Sequence, residues 1–285
     1  MANLGIDAGA TATKWSLVDS QVEVASGLLP AMDAHLYRES SVERFKENFA
    51  KLKEETSNHK IEQITLGVTG LSDVNIVSDQ IKLHFNCKLN IFSDIELAYR
   101  VNFKREQGIL LYAGTGSVAL SIDQNNRVIK VGGWGYLLGD EGAGYWIGRE
   151  AIRYALFALE SGKDLKSGNL EKSVLSAIGA RNWDGIKQFV YGNERSEISQ
   201  LAALVSKLSD AGNPEAKEIS ENAGAHLADL VLRMDSVIGN SNSRIVFTGG
   251  VSNSRSITNY LEKEFENRFS ISRENIAKLA AEISQ

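Results

Sequence analysis

The chain is expected to fold as an α/β protein built from two related halves, and three observations lead there. Short apolar runs of strand length alternate with amphipathic helical stretches along its 285 residues. The order strand, small-residue turn, strand, strand, then helix and strand starts at Leu4 and again at Ile109. Strands also end repeatedly in glycine-containing or acid-bearing turns, where ligands of open α/β sheets gather. Such a duplication predicts two domains with a cleft between them.

The first half opens on Leu4 to Asp19, two strand-like runs closing around Asp7, Gly9, Thr11, Thr13 and Lys14. Small residues there let a backbone approach an anion, and Asp7 beside phosphates would serve by holding a magnesium ion or its waters. The same residues also suit a plain turn capped by its aspartate. A third strand is expected over Gln21 to Leu28, then an irregular Pro30 to Ser40 and an amphipathic helix over Ser41 to Thr56, with Ser40 or Ser41 as its cap. Ile61 to Val68 reads as a strand ending in Thr69-Gly70. Lys88 to Phe92 reads as another, with Ser93-Asp94 at its carboxyl end and a helix from Ile95 to Lys104.

In the second half, Ile109 to Ala113 runs into Gly114-Thr115-Gly116-Ser117, followed by strands over Val118 to Asp123 and Arg127 to Val131. A hairpin on such a turn can present N–H and hydroxyl groups to a phosphate. Gly132 to Gly148 is dense in glycine, with aromatic side chains and the acid pair Asp140-Glu141 just before a helix from about Ala143 to Glu160; either acid suits capping. Short helical pieces reach Tyr191, longer helices are expected over Ser196 to Ser209 and Pro214 to Ile238, and Pro214 suits a first turn. Ser243 to Phe247 is the last clear strand, entering Thr248-Gly249-Gly250-Val251, where paired glycines let a flat ring lie against the backbone. A helix to about Phe265 and a short one over Arg273 to Ile283 complete the chain.

Composition narrows the function classes. The net charge of −5 and pI near 5.5 give no general attraction to nucleic acid or to an anionic membrane. The single cysteine, Cys87, cannot form an internal bridge, and no Cys/His spacing fits zinc, so a reducing compartment and oxygen ligation of any metal are expected. No apolar run approaches membrane-spanning length, and the chain opens directly into a strand, which reads as a cytoplasmic protein. Gly114, Gly116 and Ala119 fit GxGxxA, but the segment continues into a strand where a dinucleotide fingerprint requires a helix.

DAGATAT, FSD at a strand end, AGTGSVA, GGWGYLLGDEGAGYWIG and FTGGVSNS stand in the order and spacing of sugar kinases of the actin-like ATPase superfamily. The chain resembles more narrowly the BadF/BadG/BcrA/BcrD group, which includes N-acetylglucosamine kinase, glucosamine kinase and a broad-specificity hexokinase. The resemblance covers nearly the whole chain and is most specific at GDEG with its flanking tryptophan. It implies two ribonuclease H-like domains around an interdomain cleft: 1–107, with the C-terminal helix 273–285 packing back on it, and 108–272. It implies ATP and Mg2+ as cofactors and a small sugar as substrate, a homodimer being compatible, with no nucleic-acid or membrane partner. Asp94 matches the catalytic aspartate. Asp7 would position magnesium, Gly9, Ala10, Thr11, Ala12 and Thr13 with Gly114, Thr115, Gly116 and Ser117 would hold phosphates, and Gly249 and Gly250 would pass beneath adenosine. Gly133, Trp134, Asp140 and Glu141 would lie near the sugar or the metal.

Some positions depart from the family pattern. Members that bind N-acetylglucosamine usually carry a small residue and an asparagine after the third strand, whereas this chain reads Leu29-Pro30-Ala31-Met32-Asp33-Ala34-His35. Ala8, Ala10 and Ala12 stand where Gly, Gly and Lys are frequent. The departures bear on sugar choice more than on nucleotide binding, and they motivate an alternative, a nucleotide-binding sensor or structural protein that transfers no phosphate. One cysteine excludes the zinc motif of another sugar-kinase group and the iron-sulphur cluster of the reductase activators.

Overall fold

The computed structural model describes residues 2–9, 12–103, 107–162, 166 and 168–283. The chain divides into two compact units, Met1–Glu106 with Glu274–Gln285, and Gln107–Arg273. Each carries a five-stranded mixed sheet covered by helices, so the α/β class expected from the alternation is the one found.

In the first unit the strands are β1 (Ala2–Ala8), β2 (Thr13–Asp19), β3 (Val22–Leu29), β4 (Ile61–Val68) and β5 (Lys88–Ser93), in spatial order β3-β2-β1-β4-β5. β1, β2 and β3 form an antiparallel meander, and β4 and β5 add in parallel to β1. Period-two alternation decides the faces. Leu4, Ile6, Trp15, Leu17, Ile64 and Leu66 join the core formed with α1 (Glu39–Glu55) and α2 (Val74–Lys82), where Phe45, Phe49 and Leu52 are fully buried. On the opposite face lie α3 (Asp94–Phe103) and the C-terminal helix, which meet through Leu97, Val101 and Ala280. The expected hydroxyl cap of α1 is a correction. The helix begins at Glu39 with Arg38 at its cap and no side-chain bond there, because Ser41 is drawn inward to Asp33 and Arg44.

In the second unit β6 (Gly108–Ala113), β7 (Ser117–Ile122) and β8 (Val128–Gly132) form the meander. β9 (Arg244–Thr248) and β10 (Phe269–Ile271) extend it in parallel, giving the order β10-β9-β6-β7-β8. Its core draws in α4 (Gly144–Glu160), α5 (Leu170–Ile178), α6 (Trp183–Gly192), α7 (Arg195–Asp210), α8 (Pro214–Ile238) and α9 (Arg255–Phe265). Pro214 opens α8 behind Asn213, whose side chain accepts from the Ala216 N–H at 2.8 Å. The last helix, α10 (Ile276–Glu282), returns to the first unit and lies against β1 and β2.

One ion pair ties the end of α8 to β10. The Arg268 Nη2 donates to both oxygens of buried Asp235 at 2.6 and 2.9 Å, and its Nε donates to the Ser243 carbonyl at 3.1 Å. Removing the guanidinium strands a buried carboxylate, so Arg268→Ala is expected to cost about 3 kcal/mol of stability in urea unfolding. An unchanged midpoint would show the pair to be dispensable.

Candidate active site

The carboxyl ends of the first unit's parallel strands bring three charged groups together. Asp7 is the penultimate residue of β1 and pairs across to Lys14 and Gly67. Paired residues project from the same face, so the Lys14 ammonium lies on the Asp7 side. A Cβ added at Gly67 would stand 2.6 Å from a Leu97 methyl, so glycine there lets α3 settle directly on β4 and sets its first residue, Asp94, beside Asp7. Burial, reinforced by the Asp94 charge and opposed by Lys14, pushes the Asp7 carboxyl up to about 6. The Asp94 Oδ1 accepts the Ile95 N–H at 2.9 Å and Ser93 Oγ accepts the Glu96 N–H at 3.3 Å, so the first turn of α3 orients the aspartate.

In the first hairpin, the Gly9 N–H donates to the Ala12 carbonyl at 3.1 Å, closing the turn; Ala10 and Thr11 lie outside the described residues. Thr13 is fully buried on the Trp15 and Leu17 face, its hydroxyl without a hydrogen-bond partner among the described residues, so contact with a ligand there falls to the backbone. The β1–β2 register gives Lys14, one of the residues the hairpin closes around, its place beside Asp7.

The second unit gathers most of its expected site residues around the β6–β7 turn. The carbonyls of Gly114 and Thr115 accept the N–H groups of Gly144 and Tyr145 at 2.8 and 3.2 Å, which clamps the turn onto the start of α4. The N–H groups of Thr115 and Gly116 have no partner among the described residues. Ser117 is committed inward: its hydroxyl donates to the Glu141 carbonyl at 2.9 Å and its N–H to Asp140 Oδ1 at 3.3 Å. Asp140 is buried in a left-handed conformation, φ +64°, with its carboxylate against Gly116. Such backbone strain costs on the order of 1 kcal/mol in a non-glycine residue and is typical of functional sites. Burial raises the Asp140 carboxyl and Glu141 adds to this, while the Ser117 N–H and Arg195 oppose it.

The capping role open to Asp140 and Glu141 is a second correction, since α4 starts behind Ala143 without a side-chain cap and the Asp140 side chain turns to the phosphate-type loop instead. Gly133 donates its N–H to the Ser117 carbonyl at 3.0 Å, whereas Trp134 is 61% exposed with Arg233 over its ring. The two late glycines differ. Gly249 has φ +101°, and an added Cβ would stand 2.4 Å from the Ala113 carbonyl oxygen, so β6 demands glycine there; a Cβ added at Gly250 would meet nothing within 4 Å among the described residues. Gly249→Ala is therefore expected to destabilise the fold by roughly 2 to 4 kcal/mol. Gly250→Ala should leave the melting temperature unchanged and raise the KM for ATP if a base covers that backbone. A fall in melting temperature with unchanged KM would reverse that assignment.

Among the described residues no group of three or more His, Cys, Asp or Glu side chains could hold a metal by itself, and no helix is long and apolar enough to cross a membrane. Paired mixed sheets with glycine turns at corresponding strand ends define the actin-like ATPase class of fold. The chain matches the BadF/BadG/BcrA/BcrD ATPase family over residues 4–283 and belongs to it. It is 31% identical over 206 residues to the N-acetylmuramic acid/N-acetylglucosamine kinase of Clostridium acetobutylicum, a match covering 70% of this chain and 66% of that protein. It is 25% identical over 270 residues to the N-acetyl-D-glucosamine kinase of Dictyostelium discoideum, covering 87% and 84% of the two chains. A crystal structure from Porphyromonas gingivalis, described as a candidate N-acetylglucosamine kinase, superposes with a TM-score of 0.79 at 20% identity over 98% of this chain and 97% of its own.

Proposed function

We propose that the protein is an ATP-dependent carbohydrate kinase that phosphorylates a hydroxyl of N-acetylglucosamine, glucosamine or a related hexose. Membership of the family and the names of both curated relatives support the reaction class. The observation that carries the mechanism is the placement of Asp94 at the first turn of α3, on the end of a parallel strand and next to Asp7. The sugar hydroxyl oxygen forms a bond to the γ-phosphorus, the bond to the bridging oxygen of ADP breaks, and the hydroxyl proton passes to the Asp94 carboxylate. Asp94 orients the hydroxyl as well as receiving its proton, and both roles need the carboxylate held still, as the Ile95 N–H does.

The N–H groups of Thr115 and Gly116 are the donors of the second turn best placed to receive phosphate oxygens, since Ser117 is already engaged. Asp7 fits the role of a magnesium-positioning acid: it is an oxygen donor largely withdrawn from water, and bound phosphates would complete a hard cation's shell. Magnesium when bound would neutralise charge on the phosphates; Asp7 would orient it, and Lys14 would offset the neighbouring carboxylates. Gly250 offers open backbone to the adenine ring. ADP release across a panel of hexoses and amino sugars tests the reaction. No sugar-dependent release, with ATP nonetheless bound, would favour the nucleotide-binding sensor instead.

A further inference from the structure

The segment after β3 is built around a histidine, His35. Asp33 forms a parallel bridge to Thr69, the Ala34 N–H donates to the Thr69 carbonyl at 2.9 Å, and the Thr69 N–H donates to Ala8 at 3.1 Å. The segment is thereby stitched to the carboxyl end of β4. The last residue of β4, Val68, pairs with Ser93, the residue before Asp94, so segment and candidate base share one end of the sheet.

Asp33 holds His35 through two contacts to its Oδ1, from the His35 N–H and from Nδ1, each at 3.0 Å, while Arg44 Nη2 donates to Oδ2 at 2.9 Å. Burial raises the Asp33 carboxyl, but the hydrogen bonds of Ser41, the His35 amide, Arg44 and the His35 ring outweigh it and hold the group below its usual range. Asp33 is therefore an acceptor only. The His35 Nδ1 must carry a proton to bond it, which leaves Nε2 as an acceptor in the neutral ring. The ring is also fixed from beneath. It lies on Gly70, where an added Cβ would stand 2.4 Å from Cε1 and 2.7 Å from each ring nitrogen, and Tyr37 meets its edge with the ring centroids 5.7 Å apart. The side chain nevertheless remains 38% exposed, and Nε2 has no partner among the described residues. A ring oriented by a carboxylate, seated on a glycine and presenting one unused acceptor costs more than a surface histidine needs.

We propose that His35 sets the choice of sugar, its Nε2 accepting a hydrogen bond from a hydroxyl or amide N–H of the acceptor while Asp33, Arg44 and Gly70 hold the ring in register. This rests on the kinase reading above and deepens it. A site built to bond one polar group discriminates against acceptors that lack it, because the unpaired group remains behind.

Two substitutions separate recognition from support. The amide in His35→Asn reaches the Nδ1 position and can keep the Asp33 link but cannot replace Nε2; the amide in His35→Gln reaches the Nε2 position. The sugar KM should rise roughly tenfold or more in His35→Asn, with the ATP KM within about twofold of the parent, and should recover partly in His35→Gln. The rank order of kcat/KM among N-acetylglucosamine, N-acetylmuramic acid, glucosamine and glucose should also change. Equal scaling of all sugars, or His35→Asn outperforming His35→Gln, would make His35 a structural residue and overturn the proposal. Should His35→Asn fail to fold in a thermal melt, the rank order in His35→Gln decides alone: reordered in support, unchanged against. A parent protein with no sugar-dependent turnover would contradict the kinase reading itself and this inference with it; a parent active on sugars, with selectivity unaltered in both variants, contradicts the inference only.

Discussion

Asp94→Asn is expected to lower kcat by roughly a hundred- to ten-thousandfold, with the KM for ATP changed by no more than about threefold. The amide is isosteric and its oxygen can still accept the Ile95 N–H, so the first turn of α3 and the packing of Leu97 on Gly67 should survive. What it loses is the ability to take the proton from the attacking hydroxyl. The loss is specific to the transition state and should therefore appear in kcat and kcat/KM together. The neighbouring acid gives a second signature. The Asp94 charge contributes to the raised Asp7 carboxyl, so the substitution should shift Asp7 back toward its ordinary value, visible in a carboxyl-detected NMR titration. A variant retaining turnover within about tenfold of the parent would remove Asp94 from the role of base.

Asp7→Asn should separate activity from stability, with opposite signs. Burial raises the carboxyl to about 6 in the folded protein from an ordinary value of 3.8. For an acid the sign is fixed: above pH 6 the folded state holds an ionised group it disfavours, the penalty shrinks as the pH falls from 6 toward 3.8, and below that it vanishes. The difference corresponds to about 3 kcal/mol at neutral pH. Asn carries no such penalty. The ligand-free variant should therefore melt several degrees above the parent near pH 7.5 and at about the same temperature near pH 4, by calorimetry. Its kcat/KM for ATP should meanwhile fall by roughly a hundredfold or more, because the acid that would orient magnesium is gone. Lower stability at pH 7.5 would contradict the raised carboxyl, and unchanged kinetics would remove Asp7 from the metal.

The parts of this molecule that alternation and turn chemistry control were legible in the chain. Strands of five to eight residues with period-two patterning, β1 to β9, were each expected within a residue or two of where they lie, and α8 starts at Pro214 and ends at Ile238 as its cap and apolar face imply. β10 was not, because three residues, Phe269–Ile271, are too few to show a period and their pairing to β9 is supplied by tertiary contact. The cap expected at α1 and the capping role left open at α4 are both absent, for a shared reason. Ser41 and Asp140 are good capping residues by type, yet each is drawn to a partner distant in the chain, Ser41 to Asp33 and Asp140 to the Ser117 N–H. The candidate site follows the same division. Strand-end residues such as Asp94 and Gly114 could be singled out by position and Lys14 by its place in the first hairpin, whereas the pairing of Lys14 with Asp7 and the part played by Gly67 follow only from cross-strand register and helix packing. His35 stood in a stretch that merely looked unusual; its tie to Asp33 and its seat on Gly70 are three-dimensional facts.

The most direct test of the account is the product of a single incubation with ATP, magnesium and each of several sugars, analysed by 31P NMR. Transfer predicts a sugar-phosphate monoester resonance growing in step with ADP for at least one hexose or amino sugar, and absent with Asp94→Asn. ADP accompanied only by inorganic phosphate, at a rate no sugar alters, would contradict it.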